Sequence, residues 1–241
     1  AVEEIDRESA TSVLIIEDEP LIAMQLEDLV TGLGHTVSGT AATRTQARAA
    51  VAEAMPGLVL ADIQADVLEQ TVQALRSQGT EAVGVVVDVS DAAAVQRLAD
   101  QAQQSFGPVH VVFNNAGVTA GGLVWEHSEK DWEWLLGVNL KGVINGVRCF
   151  APQMLAAAAA DTAYEGCIVN TASMAGLLTS PGMGIYSVSK HAVVALSECL
   201  RHDLEMVTPQ VHAALLCPSY VSTDIGQSER NRPDEIGGVE V

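Results

Sequence analysis

Apolar residues come in short bursts along this chain, and the stretches between the bursts carry helical spacing. "SVLIIED" (12–18) is a β-branched run ending in acids and predicts a buried parallel strand. "PLIAMQLEDLVTGLG" (20–34) spaces its apolar positions for a helix, with Pro20 in the first turn and Gly34 at the stop. "HTVSGTA" (35–41) predicts a second strand, "TRTQARAAVAEAM" (43–55) an Ala-rich helix and "GLVLAD" (57–62) a third strand. The alternation continues with helix 65–79 stopped by Gly79, strand 82–89, helix 92–107 and strand 109–117. One long helix over 129–160, strand 166–173, helix 186–206 and strand 211–218 complete it. Regular βα alternation with apolar strands specifies an α/β fold: a doubly wound parallel sheet, Rossmann-like, in a three-layer αβα arrangement. Residues 12–225 read as one domain, between a polar arm (1–11) and a polar, Gly-bearing tail (226–241) expected to be loose.

Charge narrows the partners. A formal net charge of −19 leaves no basic stripe for a phosphate backbone, so no nucleic acid is expected. No signal peptide opens the chain and no unbroken apolar run is long enough to span a bilayer, so the expected setting is cytoplasmic, with no membrane partner. The four cysteines (Cys149, Cys167, Cys199, Cys217) are scattered and form neither a zinc pattern nor a disulfide framework.

The sharpest local chemistry is "GIYSVSKHAV". Tyr186 and Lys190 stand four apart and share a helix face. An ammonium beside a phenol favours phenolate and should lower the tyrosine pKa, which suits a general acid/base. Ser173 ends the strand "CIVNTAS", at the carboxyl edge where parallel sheets hold ligands, and can donate to the same substrate oxygen. Asn139, in "GVNLKG", carries an amide able to hold a proton-relaying water. "NNAG" (114–117) and "CPSYVSTD" (217–224) close two further strands. Together these residues suggest one crevice.

From about Gly57 to Thr223 these pieces resemble the classical short-chain dehydrogenase/reductases: Asp62 after "LVLAD", Asp88-Val89, "NNAG", Asn139, Ser173, "YSVSK", and "PSYVST" where that family has P-G-x-V-x-T. The resemblance implies hydride exchange between a nicotinamide cofactor and a small alcohol or carbonyl substrate. Tyr186 would be the acid/base, tuned by Lys190, which also touches the nicotinamide ribose. Ser173 would orient the substrate oxygen, and Asn139 would support the relay. Asp88 and Val89 would line the adenine, Asn115, Ala116 and Gly117 the adenosine side. Pro218, Val221 and Thr223 would meet the carboxamide end. Asp62, followed by Ile63, would accept from the adenosine ribose, favouring NAD over NADP.

The pattern breaks at both ends. The Gly-rich turn that lays a pyrophosphate on a helix N-terminus has its best match in "VSGTAATRT" (37–45), where Gly39 is present but two later glycines are replaced, so the site could also stay without cofactor. Residues 12–64 instead resemble the front half of a response-regulator receiver domain. There Glu17 and Asp18, with Asp62 as phosphoacceptor, would hold magnesium; otherwise no metal is expected. A receiver's later switch residues are missing, so the chain looks like a chimera joined near "LADI", with an extra or replaced N-terminal βαβ unit of flavodoxin/receiver type. Strand 12–18 is expected to lie between 36–41 and 58–62. After "PSYVST" the substrate-covering segment and a last edge strand are expected to be missing. Long helices bearing Trp132 and Trp134 could pair subunits as a homo-oligomer. Three readings stay open: an NAD-dependent dehydrogenase, a phosphorylatable or partner-binding module, and a fold chimera without activity.

Overall fold

The computed structural model of the chain describes residues 12–16, 36–41, 57–221 and 223–233. The chain divides into two compact units, Ala1–Leu60 with Glu69–Val83, and Ala61–Leu68 with Gly84–Val241.

In the first unit β1 (Ser12–Ile16) pairs in parallel with β2 (Thr36–Ala41), and a register shift after Val13 sets Leu14 opposite Gly39. Gly39 therefore sits inside a strand, not in the turn expected of a phosphate cradle. The helices expected over 20–34 and 43–55, and the acids Glu17 and Asp18, lie outside the described residues. Of the expected receiver-type βαβ unit, only the parallel strand pair is described. A pairing of β1 with β3, which insertion between strands requires, does not occur among the described residues.

β3 (Leu58–Asp62) pairs with β4 (Ala82–Val86). Leu58 N–H donates to Glu81 O at 2.9 Å and Val87 N–H to Asp62 O at 3.0 Å, so the two strands run in the same direction. Between them α1 (Ala65–Arg76) carries Asp66 in its first turn and Arg76 in its last, the charge order its dipole favours. Leu68 and Val72, four apart, are its buried positions. The helix stops at Gly79 as the sequence predicts; its φ of +89° is a conformation that a Cβ strains.

The second unit holds a three-stranded parallel sheet, β5 (Val111–Asn114), β6 (Gly166–Thr171) and β7 (Val211–Leu216), in that order. α2 (Ala92–Phe106) starts on Asp91, whose side chain accepts from Ala93 N–H at 2.8 Å, and buries Val95, Ala99 and Ala102. α3 (Glu129–Leu136) starts on a reciprocal Ser128–Asp131 capping box. The helix expected to run unbroken over 129–160 is interrupted. A π-helical segment, Gly137–Lys141, closes with Gly142 N–H donating to Gly137 O before α4 (Gly142–Ala160) resumes. α5 (Gly184–Glu205) begins two residues before Tyr186.

Two apolar clusters stand out among the described residues. Val118, Ala120, Trp134, Leu135 and Ile185 make one, and Val143, Ala172, Val193 and Val194 with Leu215 make the other. α4 packs on all three strands and α5 on β6 and β7. Strand alternation shows which face this covers. Val112 is 7 % exposed and shares its face with Asn114, which touches Gly146 of α4, whereas Val111 and Phe113 are 53 % and 64 % exposed. Of the three layers expected, this unit shows two among its described residues.

The tail expected to be loose is partly built. Asp224–Asn231 forms a 3-10 segment on a Thr223 N-cap, and Thr119 N–H donates to the buried Ser228 Oγ at 3.1 Å. The Arg232 guanidinium, 6 % exposed, pairs with Asp131 and with Glu229 at 3.1 Å, and lies 5.4 Å from the centre of the Trp134 ring. This latch holds the segment on α3. Residues 234–241 lie outside the described residues.

Candidate active site

Strand ends build the site. β6 ends at Thr171, and Ser173 follows with extended backbone (φ −172°), starting a short 3-10 turn. Its Oγ accepts from Ala175 N–H at 3.1 Å, and its side chain comes near enough to the Tyr186 phenol to pull the phenol's pKa down. The loop is pinned from β7: Met174 N–H donates to Pro218 O at 2.9 Å.

Lys190 is placed differently from the expectation. Its Nζ donates to Thr171 O at 2.8 Å and lies 5.8 Å from the centre of the Tyr186 ring, over its face. The phenol is accordingly not lowered. Burial pushes Tyr186 above its ordinary value, and the Ser173 side chain pulls it partly back. Burial likewise lowers Lys190 from 10.5 to about 8, with neighbouring Cys217 opposing the shift.

This lysine gives a stability signature. Its folded-state pKa lies below its unfolded one, so between about pH 8 and 10.5 the unfolded chain binds more protons and stability should rise with pH. The full gain is about 3 kcal/mol, from a shift of roughly 2.5 units at 1.36 kcal/mol each. Raised groups act the other way, Cys149 and Cys167 from about pH 9 upward and Tyr186 from about pH 10 upward, as their unfolded forms begin to ionise. The urea unfolding midpoint of the native chain should therefore gain on that of Lys190→Met across this window.

Asn139 sits in the π-helical segment with no exposed surface. Its Oδ1 accepts from Val118 N–H at 2.8 Å, and its Nδ2 donates to Val118 O at 2.9 Å and Ser189 Oγ at 3.0 Å. Both amide hydrogens are spent, so a relay water would have to donate to Oδ1 rather than accept from Nδ2. The side chain clamps the chain after "NNAG" against α5. Ser189 passes the contact on, donating to Tyr186 O at 2.7 Å.

The adenosine-side candidates follow other strand ends. The Asp62 carboxylate accepts from Gln64 N–H at 2.8 Å, forming a tight turn after β3 and before exposed Ile63 can pack on anything. Asp88 does the same for Ser90, from N–H at 2.8 Å and from Oγ at 2.7 Å. Val89 is held by α4: its carbonyl accepts from Asn145 Nδ2 at 2.8 Å, and its side chain lies so near Gly142 that a Cβ there would stand 2.7 Å away. Asn115 Oδ1 accepts from Thr171 Oγ1 at 3.0 Å, and a Cβ on Gly117 would be 3.5 Å from both Asn139 Oδ1 and Lys190 Nζ. Ala116, Val221 and Thr223 are exposed, Thr223 serving as an N-cap. Gly39 belongs to the other unit.

Sequence reading missed the supporting residues Asn170, Ser189 and Ser197. Asn114 Nδ2 donates to Asn170 Oδ1 at 2.9 Å, and Asn170 Nδ2 to Ser197 Oγ at 2.9 Å. A polar residue inside the apolar strand "CIVNTAS" was the available signal, since buried amides need partners.

No group of three or more metal-ligating side chains occurs among the described residues, and Glu17 and Asp18 of the magnesium alternative lie outside them. No helix among the described residues is long and apolar enough to cross a membrane.

Comparison with known proteins agrees with this geometry. Residues 29–234 match the short chain dehydrogenase family. The CLA biosynthesis dehydrogenase/reductase of Lactiplantibacillus plantarum is 34 % identical over 73 % of this chain and 60 % of that protein, so the chain spans about 60 % of that relative's length. A short chain dehydrogenase/reductase from Burkholderia phymatum, solved in complex with NAD, superposes with a TM-score of 0.72 at 41 % identity, covering 98 % of this chain and 75 % of that one. An alcohol dehydrogenase from Thermococcus sibiricus, complexed with 5-hydroxy-NADP, gives a TM-score of 0.66 at 28 % identity over 79 % of this chain and 77 % of that one. The match begins well before Gly57 and takes in much of the stretch that resembles a receiver. Matched over residues 29–234, most of its length, this protein belongs to the short chain dehydrogenase family.

Proposed function

We propose that this chain exchanges a hydride between NAD(H) and an alcohol or carbonyl compound, with Tyr186 as acid/base. The observation that carries the reading is the Ser173 side chain beside the Tyr186 phenol, with Lys190 over the same ring. A phenol raised by burial is protonated at neutral pH and can give its proton to a carbonyl oxygen as that oxygen gains charge. The Ser173 hydroxyl can hold the same oxygen and orient it. Lys190, near 8, is mostly charged at neutral pH; it stabilises a phenolate once the proton has left and can donate to a ribose hydroxyl. Asn139 is a positioning residue that acts through Val118 and Ser189.

The described residues fit both ends of a dinucleotide. Asp62 and Asp88 offer acceptors at neighbouring strand ends, suited to ribose hydroxyls, and Lys190 offers a donor. The bound nicotinamide supplies or accepts the hydride. Gly39, placed in a strand, supplies no pyrophosphate cradle. A carboxylate at Asp62 repels a 2′-phosphate, which supports NAD over NADP. Titration calorimetry should show NADH binding at least about tenfold tighter than NADPH, a discrimination of roughly 1.4 kcal/mol. Asp62→Ser should narrow that gap. Equal affinity in the native chain would overturn the preference.

A phosphoacceptor role for Asp62 draws no support. Its carboxylate closes a local turn, and the family match reaches back to residue 29.

A further inference from the structure

Two loops, residues 119–128 and 174–183, meet at the start of the helix that carries Tyr186 and are tied into one wall. Gly122 N–H donates to Gly182 O at 3.0 Å, and Gly122 bridges Met183 in parallel. Val124 presses on the first residue of α5: a Cβ on Gly184 would stand 2.3 Å from its Cγ2. The second loop leaves directly from Ser173, with Met174 as its next residue. The second loop is therefore continuous with Ser173, and the first is tied to its far end at Gly182–Gly184.

Their composition is one-sided. Leu123, Val124, Trp125, Met174, Leu177 and Leu178 are between 39 % and 79 % exposed. Apolar side chains this concentrated, beside a catalytic pair, mark a binding surface. "MAGLLTSPGMG" (174–184) contains no charged residue, and "TAGGLVWEHS" (119–128) contains no lysine or arginine, its sole formal charge being Glu126. A substrate carboxylate or phosphate would find no cation on either loop and an acid on one. The chain's net charge of −19 works against anions as well.

We infer that the substrate is an uncharged alcohol or ketone with an apolar body, which lies against the wall formed by residues 123–125 and 174–178. The inference rests on the hydride-transfer reading above and names its substrate class. The carbonyl oxygen meets Ser173 and Tyr186, and the hydrocarbon part extends over Met174, Leu177 and Leu178 toward Trp125. Each methylene that leaves water against this wall should raise kcat/KM by about three- to fourfold until the wall is covered.

Steady-state reduction by NADH tests this with methyl ketones from butan-2-one to decan-2-one and with keto acids of matching length. The expected result is a stepwise rise in kcat/KM along the ketones and a deficit of at least about a hundredfold for each keto acid against its ketone. Leu178→Glu and Trp125→Glu, both at exposed positions, should lower kcat/KM for the longer ketones at least about tenfold while NADH affinity by titration is unchanged. Leu178→Ser, which adds no charge, should give a smaller loss in the same direction. A flat ketone series, or keto acids turned over as well as ketones, would overturn the substrate class and leave hydride transfer standing. Bound NADH with no turnover of any compound would overturn both.

Discussion

Tyr186→Phe should cut kcat/KM by on the order of a thousandfold, while NADH affinity stays close to that of the native chain. The substitution removes one oxygen from a position that is 8 % exposed, so no cavity of consequence opens. Ser173 loses a neighbouring oxygen but keeps the hydrogen bond from Ala175 N–H at 3.1 Å, so no buried hydroxyl is orphaned. Folding should therefore survive, and what disappears is the proton that must move with the hydride. Lys190 is poorly placed to take over, because its ammonium lies over the ring face, 5.8 Å from the ring centre, and one of its hydrogens goes to Thr171 O at 2.8 Å. Turnover within tenfold of native in Tyr186→Phe, with the fold intact, would remove Tyr186 from the chemistry.

The largest stability effect is expected at Gly146. A Cβ there would stand 1.9 Å from Asn114 Oδ1 and 2.7 Å from its Cγ. Asn114 has nowhere cheap to go: it donates to Asn170, which is fully buried and donates in turn to Ser197. Gly146→Ala must either push α4 off β5 or break that chain of amides. Overpacking plus an unsatisfied buried group costs about 3 kcal/mol, which for a chain of this size lowers Tm by roughly 10 °C. Calorimetry reads the shift directly. Adding Asn114→Ala should recover part of it, because the clash disappears even though Asn170 still lacks a partner. An unchanged Tm in the single variant would show that α4 does not approach the strand as described.

How far the sequence carried is best judged at particular residues. Strand and helix order from Leu58 onward was legible because burial imposes period two or 3.6 on the apolar positions. Ser173 and Tyr186 were legible as candidates because strand ends and helix starts converge at one edge of a parallel sheet. Three things were not. The π-helical segment at 137–141 keeps a helix-like composition, and only its flanking glycines hint at it. The partners that take both Asn139 amide hydrogens, Val118 and Ser189, lie 21 and 50 residues away. The direction of the Tyr186 shift depends on desolvation and on where the Lys190 ammonium points, and spacing alone fixes neither. The tail looked loose because "DIGQSERNRP" is polar, yet one arginine with a buried carboxylate and an indole face suffices to dock it.

The π-helical segment has a consequence for how this region tolerates change in length. A wide turn holds one residue more than the ordinary helix it replaces, so α3 and α4 are out of phase by about 100°, the angle per residue. That offset lets Trp134 and Leu135 face one core while Val143 faces the other. Removing a single residue between Gly137 and Lys141 would let the two helices merge into one regular rod. Everything beyond the cut would then rotate by a quarter turn or more, and Gly142 and Gly146 would no longer meet Val89 and Asn114. The stretch is thus a fixed-length gear between two packing surfaces, open to exchange of side chains but closed to insertion or deletion.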